Sequence, residues 1–158
     1  MALPAESVWD YPRPPRLEPV AERIRIQTGG IWIADTQRAY RILETSHPPT
    51  YYLPPEDVRM DLLTPAAGAG SMCEFKGRAR YYDLEAGGRR VPKAAWAYPQ
   101  PAAAYAALAG YLAFYASKAD ACYVGELRAQ AQEGDFYGGW ITPNLRGPFK
   151  GAPGTWGW

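Results

Sequence analysis

The sequence predicts a mainly β fold in a single domain. Its 158 residues are an ordinary length for one domain. The 16 Gly and 16 Pro residues, together with 12 Tyr, 6 Trp and 4 Phe, are typical of short strands, many turns and packed rings. Hydrophobic residues make up 47% and charged residues 21%, which indicates a buried core rather than a disordered chain or a coiled coil. A mainly helical bundle is not expected.

Residues 1–22 are predicted to form an arm that packs on a β domain of residues 23–158. Four prolines fall between residues 7 and 19, together with Trp9 and Tyr11. Because proline lacks the backbone N–H that a helix needs, this arm is expected to be extended rather than helical.

Two hairpins are the clearest predicted elements of the domain. Arg and Ile alternate from Arg23, and Gly29–Gly30 supplies a turn before an apolar run. Gly87–Gly88 supplies the turn of a second hairpin that runs from about Ala79 to Tyr98. The other predicted elements are a strand or helical turn at 39–45, for which we favour the strand, strands at 50–53, 111–115 and 122–124, a short helix at 55–62 and a helical run from 102 that Gly110 ends.

Charge, cysteine content and hydropathy exclude several classes of protein. Seventeen basic and 16 acidic residues give a net charge of +1, so neither nucleic acid nor an anionic membrane is an expected partner. Cys73 and Cys122 are far apart and His47 is the sole histidine, so no metal site, no cofactor and no disulfide framework is predicted. The apolar stretch 102–116 is too short to span a bilayer, and the first residues do not resemble a secretory signal. A cytoplasmic location is therefore expected.

The densest group of reactive side chains lies between Glu44 and Tyr52. Glu44 and His47 are three residues apart, so a helical turn would place them on one side and an extended strand would place them on opposite sides. A Glu–His hydrogen bond would raise the imidazole pKa toward neutrality, as a general base requires. The alternative is that His47 only caps the turn before Pro48–Pro49.

One cysteine and two lysines are further candidates. Cys73 stands beside Glu74 and near Lys76, whose ammonium could activate the thiol, although a small buried cysteine is the more common case. Lys76 and Lys150 are each followed by glycine, an arrangement that can bind a carboxylate or phosphate but is also common in turns.

Aromatic side chains are the candidate walls of a site. The pairs Tyr51–Tyr52 and Tyr81–Tyr82 must send one ring to each face of a strand, so one ring of each pair can line a groove. The proposed ligand-binding residues are Tyr51, Tyr52, Lys76, Tyr82, Trp140 and Lys150, with Glu44 and His47 as candidate catalytic groups and Cys73 as a further one.

Several segments of the sequence resemble a bacterial family known as domain of unknown function 427, which is sometimes labelled nucleotidyltransferase-like. They are Glu6–Pro15, Ala34–Thr36, Leu43–Tyr52, Pro54–Val58, Lys76–Gly77 with Tyr81–Tyr82, Phe136–Trp140 and Gly147–Gly154. The resemblance implies a tent-shaped β architecture, in which two antiparallel sheets meet at an angle, with one or two short helices. Many proteins of that shape carry a four-cysteine zinc site, which two cysteines cannot supply.

Two functions are compatible with these residues. The first is a pocket for a small polar or anionic molecule, with Glu44 and His47 available for acid–base catalysis. The alternative is a non-enzymatic module whose aromatic groove binds a peptide or a protein. Neither one predicts a particular oligomeric state.

Overall fold

Short strands make up most of the regular structure. The computed structural model describes residues 3–68, 70–73, 75–134 and 137–158. Its strands are β1 (Glu6–Ser7), β2 (Arg16–Pro19), β3 (Ile24–Thr28), β4 (Ile31–Thr36), β5 (Tyr40–Leu43), β6 (Thr50–Tyr52), β7 (Leu63–Pro65), β8 (Met72–Cys73), β9 (Gly77–Arg78), β10 (Arg80–Ala86), β11 (Arg89–Ala97), β12 (Ala113–Phe114), β13 (Ala121–Val124), β14 (Leu127–Arg128), β15 (Gln130–Ala131), β16 (Trp140–Ile141) and β17 (Leu145–Arg146). The helical segments are 3-10 helices at Val8–Asp10, Pro55–Asp57, Met60–Leu62, Ala103–Leu108 and Ala116–Lys118.

The two largest sheets each contain four antiparallel strands. Their strand orders are β12-β11-β10-β7 and β14-β13-β3-β4. A three-stranded antiparallel sheet has the order β2-β5-β6, and three strand pairs complete the fold. Of those pairs, β1 and β17 are parallel. The prediction of a mainly β fold with antiparallel sheets is confirmed.

Both predicted hairpins form, and their turns contact each other. The turn glycines Gly29, Gly30, Gly87 and Gly88 all have φ between +57° and +79°, which glycine adopts without strain. A Cβ atom at Gly29 would overlap the carbonyl of Ala86, and one at Gly87 would overlap the carbonyl of Gly29. The two four-stranded sheets are therefore joined where the hairpin turns pack backbone against backbone.

The predicted helix at 55–62 is wrong as a continuous element. It is divided into two 3-10 helices because Val58, between them, forms a β-bridge with Ala34 and is buried. The predicted strand at 111–115 is likewise reduced to β12, since Leu112 pairs instead with Leu53 through two backbone hydrogen bonds of 2.8 Å. Pairing with distant chain segments, which local propensity does not encode, decides both cases.

Parts of the N-terminal segment pair with other strands or are buried. Residues 16–19 are extended, as expected, and form β2 beside β5. The expectation of no helix is wrong at Val8–Asp10, where the N–H of Trp9 donates to Ser7 Oγ at 3.4 Å and the prolines come only later. Val8 is completely buried.

Two main groups of buried side chains form the core. The larger one lies against β3, β4, β10, β11 and β13, and it includes Trp140. The second one is smaller and more aromatic, with Tyr52, Trp96, Tyr98, Tyr105 and Tyr115 among its members. In the part of the chain that the structure describes, no helix is long and apolar enough to cross a membrane.

Candidate functional site

A cavity of about 330 Å³ opens beside the second, aromatic group of core residues. Its lining comes from the end of β5, the following turn, β6, β8, β11 and the later part of the chain, where Gln132, Tyr137, Gly138 and Lys150 contribute. Parts of the chain that are more than a hundred residues apart therefore share one cavity, from Ile42 to Lys150.

Six of the predicted site residues line this cavity. They are Glu44, His47, Tyr52, Cys73, Lys76 and Lys150. The imidazole of His47, the carboxylate of Glu44 and the ammonium groups of Lys76 and Lys150 therefore border the same cavity.

Tyr51, Tyr82 and Trp140 do not line the cavity, so they are not its walls. Trp140 is completely buried in the larger core group, and its indole N–H donates to the carbonyl of Phe114 at 3.0 Å. Tyr51 packs against Trp140 with ring centroids 5.1 Å apart, because strand alternation turns it away from Tyr52. Tyr82 packs against the same core group for the same reason, while Tyr81 faces the cavity.

Besides Tyr52, the aromatic walls are Phe75, Tyr81, Trp96, Tyr98, Tyr115 and Tyr137. Trp96 is the penultimate residue of β11 and Tyr98 directly follows the strand, so the two alternate residues place their rings on one face. The Trp96 and Tyr115 rings are in contact, with centroids 4.6 Å apart. Sequence reasoning missed Trp96 as a wall although its spacing from Tyr98 was visible, because alternation does not reveal which face borders a cavity.

A tight turn brings Glu44 and His47 to the same side of the chain. The N–H of His47 donates to the carbonyl of Glu44 at 3.0 Å, and Ser46 between them has a φ of +71°. The His47 Nε2 and Glu44 Oε2 atoms are 3.7 Å apart, which is too far for a hydrogen bond. Glu44 also forms an ion pair with Arg13 at 3.5 Å.

Gln132 fixes the tautomer of His47. Its Oε1 accepts from the N–H of Gly139 at 3.1 Å, and its Nε2 donates to the carbonyl of Lys150 at 2.7 Å. The amide is thereby oriented, so Nε2 also donates to His47 Nδ1 at 3.2 Å. His47 Nδ1 is then an acceptor, and the ring proton sits on Nε2, which faces Glu44. No sequence motif indicated Gln132, which lies 85 residues from His47.

The predicted rise in the pKa of His47 is wrong. Burial lowers the pKa of the imidazole to about 4, and the charges of Lys150, Lys76 and Arg13 lower it further. Desolvation and three nearby cations disfavour the imidazolium, and the single acid Glu44, which is already paired with Arg13, cannot compensate for them. At neutral pH His47 is therefore a neutral N–H donor rather than a general base.

We expect the single histidine to titrate near pH 4 in the folded protein, and proton NMR of its ring protons measures this directly. The folded pKa lies below the ordinary 6.5, so the unfolded chain binds the proton more tightly. The resulting contribution to stability is complete above pH 6.5 and is lost as the pH falls toward 4. Nitrogen-15 shifts at pH 7 should show a proton on Nε2. A midpoint at or above 6.5 would contradict this account.

Two glycines allow the backbone to approach the cavity closely. A Cβ atom at Gly138 would overlap the Trp96 ring. One at Gly139 would lie 2.6 Å from both Gln132 Oε1 and the carbonyl oxygen of Pro48. Any larger residue at these positions would displace the Trp96 wall or the amide that orients His47.

Among the residues that the structure describes, the charges around the cavity are unbalanced toward positive. Neither Lys76 nor Lys150 forms an ion pair with a residue that the structure describes, whereas Glu44 is paired with Arg13. The Lys150 ammonium lies 5.7 Å from the centre of the Tyr137 ring, and that ring packs edge-on against His47 with centroids 5.3 Å apart. Two ammonium groups without an ion pair to any described residue therefore lie at an aromatic wall.

The cysteines differ in their surroundings. Cys73 is partly buried in β8 and lines the cavity, while Glu74 beside it and Phe136 near Tyr137 lie outside the described residues. Cys122 is buried, which raises the pKa of its thiol to about 12 and makes it unreactive. Among the described side chains, no group of three His, Cys, Asp or Glu is placed to hold a metal ion.

Comparison with known proteins identifies the family of the chain. No curated protein matches the sequence. A family model matches residues 16–125, more than half of the chain, and this range includes Glu44, His47, Cys73 and Lys76 but not Gln132 or Lys150. The chain belongs to the family described as a domain of unknown function, DUF427.

Proposed function

We propose that the protein binds a small anionic ligand that carries a planar, apolar group. One observation carries the proposal: two ammonium groups without ion-pair partners among the described residues, Lys76 and Lys150, border an aromatic cavity of about 330 Å³. Small-molecule sites are typically concave and aromatic, with a few polar groups that orient the ligand.

The planar part of the ligand is suggested by the walls. Trp96 and Tyr115 pack together at one side, and Tyr137 lies against His47. Ring faces of this kind pack well against another flat, apolar group. The rings of Trp96, Tyr98 and Tyr115 are less than 10% exposed, which suits a small molecule better than the peptide of the alternative hypothesis.

The anionic part of the ligand is suggested by the donors. Lys76 and Lys150 supply positive charge, and the neutral His47 supplies an N–H that Glu44 does not engage in a hydrogen bond. A donor that stays neutral above pH 4 keeps the same hydrogen-bonding character throughout the physiological range. Carboxylate and phosphate oxygens are the acceptors that match this combination.

Binding is favoured over catalysis by the state of the candidate catalytic groups. A general base works best with a pKa near the working pH, and His47 falls well below that range. The Cys73 thiol has no hydrogen-bonded base among the described residues, so nothing there activates it as a nucleophile.

Calorimetric titration with phenyl phosphate tests the proposal, since this probe joins one ring to one anion. Replacing Lys76→Ala and Lys150→Ala together should weaken binding about 100-fold, because each ammonium is expected to contribute ~1.4 kcal/mol. The hydrogen bond from Gln132 is kept, as it uses the backbone carbonyl of Lys150.

The matched control removes two positive charges elsewhere, Arg128→Ala with Arg146→Ala, both exposed and neither lining this cavity. This control should bind phenyl phosphate like the unmodified protein. If both double variants lost the same affinity for phenyl phosphate, the loss would be due to net charge alone. Unchanged affinity in the lysine variant would refute the site.

A further inference from the structure

A second, larger concavity of about 720 Å³ adjoins the cavity described above. The two share Ala79 and Tyr81 among their lining residues. We refer to them as the outer concavity and the inner cavity. The Tyr81 hydroxyl is 2.8 Å from Ser71 Oγ, so a hydrogen bond holds this ring at the boundary.

The outer concavity is basic. Arg78, Arg80 and Lys93 line it, and no Asp or Glu of the described chain does. None of these three cations forms an ion pair with a described residue, and Lys93 instead lies 5.7 Å from the centre of the Tyr81 ring. Both arginines are exposed.

Most other arginines are paired with acids. Those with a carboxylate partner are Arg13, Arg16, Arg23, Arg38, Arg41, Arg59, Arg89 and Arg90. Five cations without such partners therefore border the inner cavity and the outer concavity, in a chain whose net charge is only +1. Among the described residues, ion pairing elsewhere leaves a local excess of positive charge that the overall composition conceals.

We propose that the ligand is an elongated oligoanion, with a planar end in the inner cavity and a chain of phosphate groups that passes Tyr81. Resting on the function proposed above, this inference adds the outer concavity to the site. Arg78 and Arg80 would bind the distal phosphates, since a guanidinium presents paired donors that match phosphate oxygens. Lys93 would add charge beside Tyr81.

Titration with phenyl phosphate, phenyl triphosphate and inorganic tripolyphosphate tests this extension. Phenyl triphosphate should bind the unmodified protein at least about tenfold more tightly than phenyl phosphate, as one additional charge-assisted hydrogen bond would give. The variant Arg78→Ala with Arg80→Ala should remove that gain and leave phenyl phosphate binding unchanged. The matched control Arg128→Ala with Arg146→Ala should retain the gain.

The possible failures are distinguishable. Equal affinity for the two phenyl compounds, with phenyl phosphate still dependent on Lys76 and Lys150, would overturn the extension and leave the proposed function standing. Two results would show a separate outer site and overturn the extension. One is that tripolyphosphate binds as tightly as phenyl triphosphate. The other is that the affinity for phenyl triphosphate does not change when both lysines are replaced. If replacing both lysines did not change the affinity for phenyl phosphate, both proposals would be overturned.

Discussion

Replacing Trp140 by alanine is expected to lower the free energy of unfolding by about 4 kcal/mol, near the upper range for a buried aromatic. The side chain is completely buried, packs against Tyr51 at 5.1 Å and donates its indole N–H to the carbonyl of Phe114. The substitution would leave a cavity in the larger core group and an unsatisfied backbone carbonyl. Urea denaturation followed by circular dichroism measures the change.

Trp156→Ala is the matched control for this substitution. Trp156 is 83% exposed, so its replacement should change stability by no more than about 0.5 kcal/mol. Comparable losses in the two variants would contradict the assignment of Trp140 to the core.

The variant Gly138→Ala is expected to lose about 2 kcal/mol of stability and to bind phenyl phosphate about tenfold more weakly. The new Cβ atom would overlap the Trp96 ring, which is already in contact with Tyr115 and also packs against Tyr52. The Trp96 ring can move most easily into the open space of the inner cavity, where it would occupy part of the proposed ligand-binding volume.

Gly157→Ala is the corresponding control, because a Cβ atom there would meet nothing within 4 Å. Both substitutions are measured by denaturation and by titration with phenyl phosphate. Full stability and full affinity in the Gly138 variant would show that Trp96 does not form the wall described here.

Local features of the sequence predicted the parts of the fold that depend on near neighbours. The hairpins at Gly29–Gly30 and Gly87–Gly88 form because alternation and turn residues act within a few positions. The sequence left open whether Glu44 and His47 would meet, because a turn places residues three apart on one side and a strand places them on opposite sides. The turn that follows β5 brings them together.

The rest of the site depends on distant pairing that local patterns do not encode. Gln132 and Tyr137 reach His47 only because the chain after β15 folds back over the turn before β6. Burial beside cations, which composition cannot reveal, reverses the expected direction of the His47 pKa shift.

Aromatic residues were the least predictable group. Alternation correctly separates Tyr51 from Tyr52 and Tyr81 from Tyr82, but it does not say which face borders the cavity and which borders the larger core group. Trp140 was therefore assigned to the site although it belongs to the larger core group.

A crystal structure of the protein with phenyl phosphate tests the central claim most directly. We expect the phosphate oxygens to lie within hydrogen-bonding distance of the Lys76 and Lys150 ammonium groups, with the phenyl ring against Trp96 and Tyr137 in the inner cavity. A ligand bound at any other surface, with this cavity filled only by water, would contradict it.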